Sequence, residues 1–147
     1  MSPLLIASDH AGFALKEELK LYFAQKRIAF LDLGTDSLER CDYPRYAASL
    51  AQKISVGKFS RGILICKTGI GNSIVANRFT RVRAALCYNL QSAKLSRQHN
   101  DSNVLVLGSA FVKAPLAKRM VSVWLKTEFL GGRHLRRVRL IESLTKR

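Results

Sequence analysis

A cysteine followed by a glycine-rich segment is the part of the chain best suited to chemistry. The apolar residues 63–65 predict a β-strand that ends at Cys66, and the carboxyl edge of a parallel sheet is where open α/β folds hold their ligands. Gly69 and Gly71 allow a sharp turn that aims backbone N–H groups at one point, and a helix that begins near Asn72 adds the positive end of its dipole. The segment therefore pairs a potential nucleophile or base with a site for a negatively charged substrate or for an oxyanion formed during a reaction.

Two nucleotide-binding interpretations of this glycine segment are disfavoured. A P-loop requires a Lys-Ser or Lys-Thr pair after a matching glycine spacing, and none follows here. A dinucleotide fingerprint requires a third glycine and an acidic residue about 20 positions further on, where the chain has Asn89 and Leu90. An anion-binding or oxyanion-binding loop and a purely structural turn both stay open.

Polar residues also follow the first and fifth predicted strands. Asp9 and His10 come directly after the first strand, and Gly108 and Ser109 come directly after the fifth. Because the carboxyl ends of parallel strands meet at one edge of a sheet, we expect these residues near Cys66. Asp9 also suits the N-cap of the following helix, so both a structural role and a binding role are open for the Asp9-His10 pair.

Two further polar clusters lie in the C-terminal half of the chain. Residues 95–103 are unusually polar for a stretch just before a buried strand, and the simplest interpretation of His99 is the polar end of a helix. Arg133, Arg136 and Arg137 are i, i+3 and i+4 neighbours, so they project to one side of a helix. They either bind a phosphate group or face water.

Apolar runs alternate with amphipathic stretches along the whole chain, which predicts an α/β fold. The expected strands are residues 4–8, 28–33, 62–66, 83–87 and 104–107. The expected helices are residues 12–27, 44–56, 73–79, 92–98, 115–129 and 135–144. This order predicts a single domain over residues 1–147, with a doubly wound five-stranded parallel sheet in a Rossmann-like three-layer α/β/α arrangement and a basic C-terminal helix.

Composition agrees with one globular domain. The chain has 147 residues, of which 48% are hydrophobic and 24% are charged. It has no apolar run near the roughly 20 residues of a transmembrane helix, and the apolar N-terminal stretch is too short for a signal peptide. We therefore expect a cytoplasmic protein without a membrane partner.

The cysteines and the net charge indicate which kinds of site and partner to expect. Cys41, Cys66 and Cys87 show no C-x-x-C spacing, and the three histidines are scattered, so neither a disulfide framework nor a metal site is expected. The formal net charge is +15, with ten basic residues from Lys113 onward against Glu128 and Glu142. This charge favours anionic partners in general, including phosphorylated metabolites, nucleic acid and acidic lipid.

These motifs together resemble those of the type B ribose-5-phosphate isomerases and the related galactose-6-phosphate isomerase subunits. The resemblance covers nearly the whole chain. It is carried by residues 8–12 (SDHAG), 42–44 (DYP), 62–66 (GILIC), 68–71 (TGIG), 96–101 (SRQHND) and 131–134 (GGRH). The resemblance implies a cofactor-free aldose–ketose isomerase that acts on a phosphorylated sugar through an enediolate. It also implies a homodimer with shared active sites, with a tetramer as the alternative.

The resemblance also assigns roles to residues of the reacting centre. Cys66 matches the catalytic base, and His99 matches the acid that helps to open the furanose ring. The backbone from Lys67 to Gly71, including Gly69 and Ile70, matches the loop that stabilises the enediolate oxygen. Thr68 is expected to orient the sugar oxygens, and the loop N–H groups and helix dipole are expected to favour the Cys66 thiolate.

The remaining matches concern substrate binding. Asp9 and His10 match a substrate-binding pair, and Asn100 matches a sugar-binding residue. Arg133 and Arg137 match phosphate ligands, which agrees with their helical spacing and with bidentate guanidinium chemistry.

The chain departs from the family pattern at two site positions. Lys67 stands where the family usually has glycine, and its ammonium group could help to hold Cys66 as a thiolate. Ala110 stands where the family usually has an arginine for the phosphate group, and Lys67 or Lys113 could compensate for the lost charge.

The leading hypothesis is an isomerase of the pentose phosphate pathway that interconverts D-ribose 5-phosphate and D-ribulose 5-phosphate. A six-carbon sugar phosphate, such as galactose 6-phosphate or allose 6-phosphate, is the alternative substrate. The other alternative is a non-catalytic relative that binds anions or nucleic acid. The basic segment lacks interleaved aromatic residues for base stacking, so no nucleic-acid partner is expected.

Overall fold

Strands and helices alternate along the chain. The computed structural model describes residues 2–146, and within them the chain forms five strands and six helices. The strands are β1 (Leu4–Ser8), β2 (Phe30–Asp32), β3 (Gly62–Cys66), β4 (Ala84–Leu86) and β5 (Val104–Gly108). The helices are α1 (Phe13–Gln25), α2 (Tyr43–Ser55), α3 (Ile70–Ala76), α4 (Leu90–Asn100), α5 (Ala114–Lys126) and α6 (Arg133–Leu144).

All five strands belong to one parallel sheet with the order β2-β1-β3-β5-β4. Side chains of β1, β3 and β5 alternate between two apolar clusters. One cluster packs against α1, α4 and α5, and the other packs against α2 and α3. The predicted α/β class and the five-stranded parallel sheet between two helical layers are confirmed. No helix within residues 2–146 has the length and apolar character needed to cross a membrane.

Helix α3 begins earlier than predicted, at Ile70 instead of residue 73. Gly69 adopts a left-handed conformation with φ of 82° and forms the N-cap, so the helix starts directly after it. Gly71 therefore lies in the first turn of the helix and not in a preceding loop. The positive end of the α3 dipole is correspondingly close to Cys66.

The boundary between α5 and α6 was also predicted wrongly. Helix α5 ends at Lys126 instead of residue 129, and α6 begins at Arg133 instead of residue 135. Gly131 and Gly132, with φ of 67° and 55°, turn the chain into α6 and do not end α5. Arg133 consequently lies in the first turn of α6.

A buried lysine connects α1 to β2, which the sequence patterns did not predict. The Lys16 side chain is fully buried, and its Nζ lies 2.6 Å from Asp32 Oδ2, while Lys20 Nζ lies 2.8 Å from the same oxygen. Burial alone would raise the pKa of Asp32, but hydrogen bonds from Lys16 and Lys20 outweigh it and lower that pKa. The ion pair therefore stabilises the packing of α1 beside β2 as long as Asp32 is ionised.

Candidate active site

The strand order reverses between β1 and β3. From β1 the chain moves outward to β2, and from β3 onward it builds the other side of the sheet. A crevice forms at the carboxyl ends of two such strands, and this is the usual ligand site of open α/β sheets. The Asp9 N–H donates to Ile65 O at 3.3 Å, so the structure brings the Asp9-His10 segment beside Cys66.

Cys66 is the last residue of β3, at this edge of the sheet. The residue is only 4% exposed, and its Sγ accepts a hydrogen bond from the Gly69 N–H at 3.2 Å. Thr68 Oγ1 accepts from the Ile70 N–H at 3.2 Å, which holds the threonine hydroxyl against the start of α3. The start of α3 thus aims one N–H at the sulfur and another at the threonine hydroxyl, as in an anion-binding loop.

The electrostatic balance at Cys66 differs from the expectation of a favoured thiolate. Burial raises the pKa of the Cys66 thiol, and the nearby Asp9 charge raises it further. Hydrogen bonds from the backbone N–H groups of Gly69, Asn72 and Thr68 lower this pKa, but they do not reverse the effect of burial. The thiol is consequently harder to ionise than an ordinary cysteine, and its thiolate is a correspondingly stronger base.

Close packing fixes the loop around Cys66. A side chain at Gly69 would overlap Leu86, and a side chain at Gly71 would overlap the ring of Tyr43. The segment after β5 also supports the loop, since the Ser109 N–H donates to Cys66 O and the Ala110 N–H donates to Lys67 O, both at 2.9 Å. The loop that carries the thiol is therefore held from three sides.

The backbone pairing of Lys67 with Ala110 places cationic side chains where the chain lacks an arginine. Lys67 is exposed. Lys113 lies one turn beyond Ala110, and its Nζ donates to Ser109 O at 3.4 Å. Two lysine residues are thus neighbours of Ala110, Lys67 through the backbone and Lys113 one turn further along the chain.

The Asp9-His10 pair is held by the backbone. Asp9 is 6% exposed, and its Oδ1 accepts from the Gly12 N–H at 3.1 Å, so the carboxylate stabilises the turn into α1 as well as facing the site. The Nδ1 atom of His10 accepts from the Cys41 N–H at 3.2 Å. Because Nδ1 is an acceptor, the ring hydrogen of the neutral imidazole lies on Nε2. His10 can therefore donate a hydrogen bond through Nε2.

The structure does not bring the other predicted residues to Cys66 within one chain. Helix α4 runs back from the carboxyl edge, so His99 and Asn100 lie at the opposite edge of the sheet, near the start of β5. Arg83, just before β4, donates through Nε to Asn100 O at 3.1 Å and through Nη1 to Glu142 Oε1 of α6 at 2.7 Å. A five-residue strand separates the two edges by about 16 Å.

His99 and the start of α6 form a cluster of their own at this opposite edge. The rings of His99 and His134 are stacked, with centroids 4.3 Å apart and an angle of 11° between their planes. Desolvation lowers the pKa of His134, and the charges of His99, Arg133 and Arg137 lower it further. The His134 ring is therefore largely neutral, and by stacking on the His99 ring it fixes the orientation of that ring.

Three residues that contact the candidate site were given no role from the sequence. They are Cys41, which bonds His10, Tyr43, which covers Gly71, and His134, which stacks on His99. Each acts through a neighbour that is distant in sequence. In the sequence, only the family motifs at residues 42–44 and 131–134 pointed to Tyr43 and His134.

Comparisons with known proteins agree with this geometry. Residues 4–141 match the model of a family described as Ribose/Galactose Isomerase. The chain is 45% identical over 147 residues to ribose-5-phosphate isomerase B of Escherichia coli strain K12, covering 100% of this chain and 99% of that protein. Ribose-5-phosphate isomerase B of Clostridium thermocellum superposes with a TM-score of 0.94 at 42% identity, covering 97% of both chains. The enzyme of Mycoplasma genitalium, solved with bound ribulose-5-phosphate, gives a TM-score of 0.92 at 38% identity, covering 97% of this chain and 95% of that one.

Proposed function

Because the chain belongs to the ribose/galactose isomerase family, we propose that it is an aldose–ketose isomerase that interconverts D-ribose 5-phosphate and D-ribulose 5-phosphate. The observation that carries the proposal is the buried Cys66 thiol, which accepts a hydrogen bond from the Gly69 N–H at the start of α3, at the strand reversal of the sheet. This arrangement can move a proton and stabilise an oxyanion without a cofactor.

In the proposed reaction, the Cys66 thiolate removes the proton from C2 of the open-chain aldose. The electron pair of the C2–H bond forms the double bond between C1 and C2, and negative charge develops on O1. The N–H groups of residues 67–71 that do not already donate to Cys66 Sγ or Thr68 Oγ1 would stabilise this enediolate oxygen, and Thr68 would orient the sugar beside it. The thiol then returns its proton to C1, while the hydrogen of the C2 hydroxyl passes to O1 and the C2 carbonyl forms.

Ring opening and phosphate binding require the residues at the opposite edge, so we propose a homodimer in which they act on the Cys66 of a second copy. His99 and Asn100 would reach the sugar, and Arg133 and Arg137 would bind its phosphate group. A two-fold dimer gives two identical sites of this kind. The proposal is supported by the distance between the two edges within one chain.

The exposed face of α6 also supports the dimer. Arg133, Arg137, Leu140 and Leu144 follow the i, i+4, i+7 and i+11 spacing of one helix face. Leu140 and Leu144 are 42% and 79% exposed, although both are large and apolar. A partner that covers these leucines would bring the two arginines into its own site.

On the Cys66 side of the site, His10 would donate to the phosphate group through Nε2, and Asp9 would contact the sugar. Lys67 and Lys113 would supply the positive charge that Ala110 lacks. The substrate is a metabolite of the pentose phosphate pathway, so we propose a cytoplasmic location.

A coupled assay with ribose 5-phosphate tests the proposed function. We expect Cys66→Ala to lose at least about 100-fold in kcat, the contribution typical of a general base. Cys87→Ala is the matched control, because Cys87 is also buried, at 2% exposure, but follows β4, two strands from β3, and its thiol donates to Ala85 O at 3.6 Å. Equal activity of the two variants would contradict the role of Cys66. A higher kcat/KM for galactose 6-phosphate than for ribose 5-phosphate would contradict the proposed substrate.

A further inference from the structure

A cleft runs along the amino-terminal edge of the sheet, on the side opposite Cys66. It consists of two cavities of about 500 and 580 Å³, which share the lining residues Arg81, Arg83 and Glu142. The cavities lie where β4 and β5 begin, with Arg83 and Asn103 on their walls. Their size is in the range of small-molecule sites.

The cleft carries uncompensated positive charge. Its basic lining residues are Lys58, Arg78, Arg81 and Arg83, whereas Glu142 is its acidic one. Arg83 is neutralised by Glu142 at 2.7 Å and by Asp101 at 3.4 Å. Within residues 2–146, the other three basic side chains form no ion pair. Each cavity is therefore lined by two unpaired cations, with Arg81 common to both.

The cleft also offers hydroxyl groups and aromatic surface. Phe59 and Ser60 line one cavity, and Phe79 and Thr80 line the other. Both phenylalanines are half-buried. A phosphate group would accept hydrogen bonds from guanidinium and hydroxyl groups here, and a flat ring would pack on an aromatic side chain.

We propose that this cleft is a second binding site, which takes a phosphorylated small molecule that carries a flat ring. Arg81 is its central residue, because it lines both cavities and its charge is unpaired. None of its cations is placed in the proposed isomerase reaction, although Asn100, which is placed at the sugar there, lines one of the two cavities.

Arg81 offers a substitution that removes the charge without straining the backbone. Its φ is 66°, a left-handed conformation that glycine adopts at no steric cost, so Arg81→Gly should retain the fold. Arg27 provides the matched control. It is exposed, has φ of 56° and follows α1, and it does not line either cavity. Each variant loses one positive charge, so any effect of net charge is equal in both.

Adenosine 5′-diphosphate serves as the probe, titrated at fixed ionic strength by calorimetry and by ¹H–¹⁵N NMR. We expect saturable binding that shifts the amide signals of Lys58, Arg81 and Arg83. Arg81→Gly should weaken this binding by at least about tenfold, the effect of losing a charged hydrogen bond, and Arg27→Gly should leave it unchanged. Equal weakening by both variants, no weakening by Arg81→Gly, no binding, or shifts confined to the Cys66 edge would overturn the proposal.

Discussion

Complementation between two inactive variants tests how the active site is assembled. Cys66 ends β3, whereas His99 lies at the end of α4, whose eleven residues span about 16 Å back along the sheet. Proton transfers need groups about 3 Å from the reacting atoms, so these two residues cannot serve one substrate within one chain. Cys66→Ala and His99→Ala should therefore each be impaired, but in a mixed dimer one of the two sites contains both intact residues.

The expected recovery follows from the two-fold arrangement. Random exchange in a 1:1 mixture makes half of the dimers mixed, and each mixed dimer has one intact site of two. The mixture should regain about 25% of the unmodified activity. Activity is measured with ribose 5-phosphate after the variants are unfolded together and refolded.

A second mixture is the control for this experiment. His99→Ala and Asn100→Ala change the same half of the site, so their mixed dimers contain no intact site. The activity of this mixture should equal only the combined activities of the two separate variants. Recovery in the control mixture, or none in the Cys66→Ala and His99→Ala mixture, would refute the shared-site arrangement.

Three further predictions concern ionisation and charge. Because burial raises the pKa of the Cys66 thiol, kcat/KM should increase with pH and level off above the pKa of an ordinary cysteine; a plateau below that value would contradict the burial argument. Asp32→Asn leaves the buried Lys16 with only its longer, 3.5 Å ion pair to Glu17 and should reduce the free energy of unfolding by about 3 kcal/mol at pH 7 in urea titrations. Because the pKa of Asp32 is lowered by folding, this stabilisation is present above the unfolded-state pKa of about 3.9 and is lost as pH falls through the folded-state value; a stability difference that does not shrink as the pH is lowered below about 3.9 would contradict it. Lys67→Ala should raise KM for ribose 5-phosphate about tenfold, and adding Ala110→Arg should restore it; no change in KM in the single variant would show that Lys67 does not bind the phosphate.

The buried strands were predicted well from the sequence, because a short run of apolar residues is compatible with few structures other than a buried strand. Residues 4–8 and 62–66 were expected as strands, and both have those bounds in the structure. The ends of these strands also predicted the meeting of Asp9 and His10 with Cys66, since parallel strands finish at one edge. The start of α3 was wrong because a single left-handed glycine lets a helix begin at once.

Other features depend on contacts that no local pattern encodes. The Lys16–Asp32 ion pair joins residues 16 positions apart, and the direction of the Cys66 pKa shift depends on how deeply the fold buries the sulfur. The family resemblance implied a site shared between two chains, but it did not say which residues come from which chain. The structure places Cys66 and His99 at opposite edges of one chain, so in the proposed dimer His99 acts on the Cys66 of a second copy.

Hydrogen exchange at the sugar carbons tests the central claim most directly, because it reports the proton that Cys66 is proposed to move. Ribose 5-phosphate is incubated in D₂O with the unmodified chain or with Cys66→Ala, and deuterium at C1 and C2 is followed by NMR. Binding of substrate to each protein is measured in parallel. We expect deuterium incorporation with the unmodified chain and none above background with Cys66→Ala, although that variant still binds the sugar phosphate. Incorporation by Cys66→Ala at the unmodified rate would show that another group carries the proton.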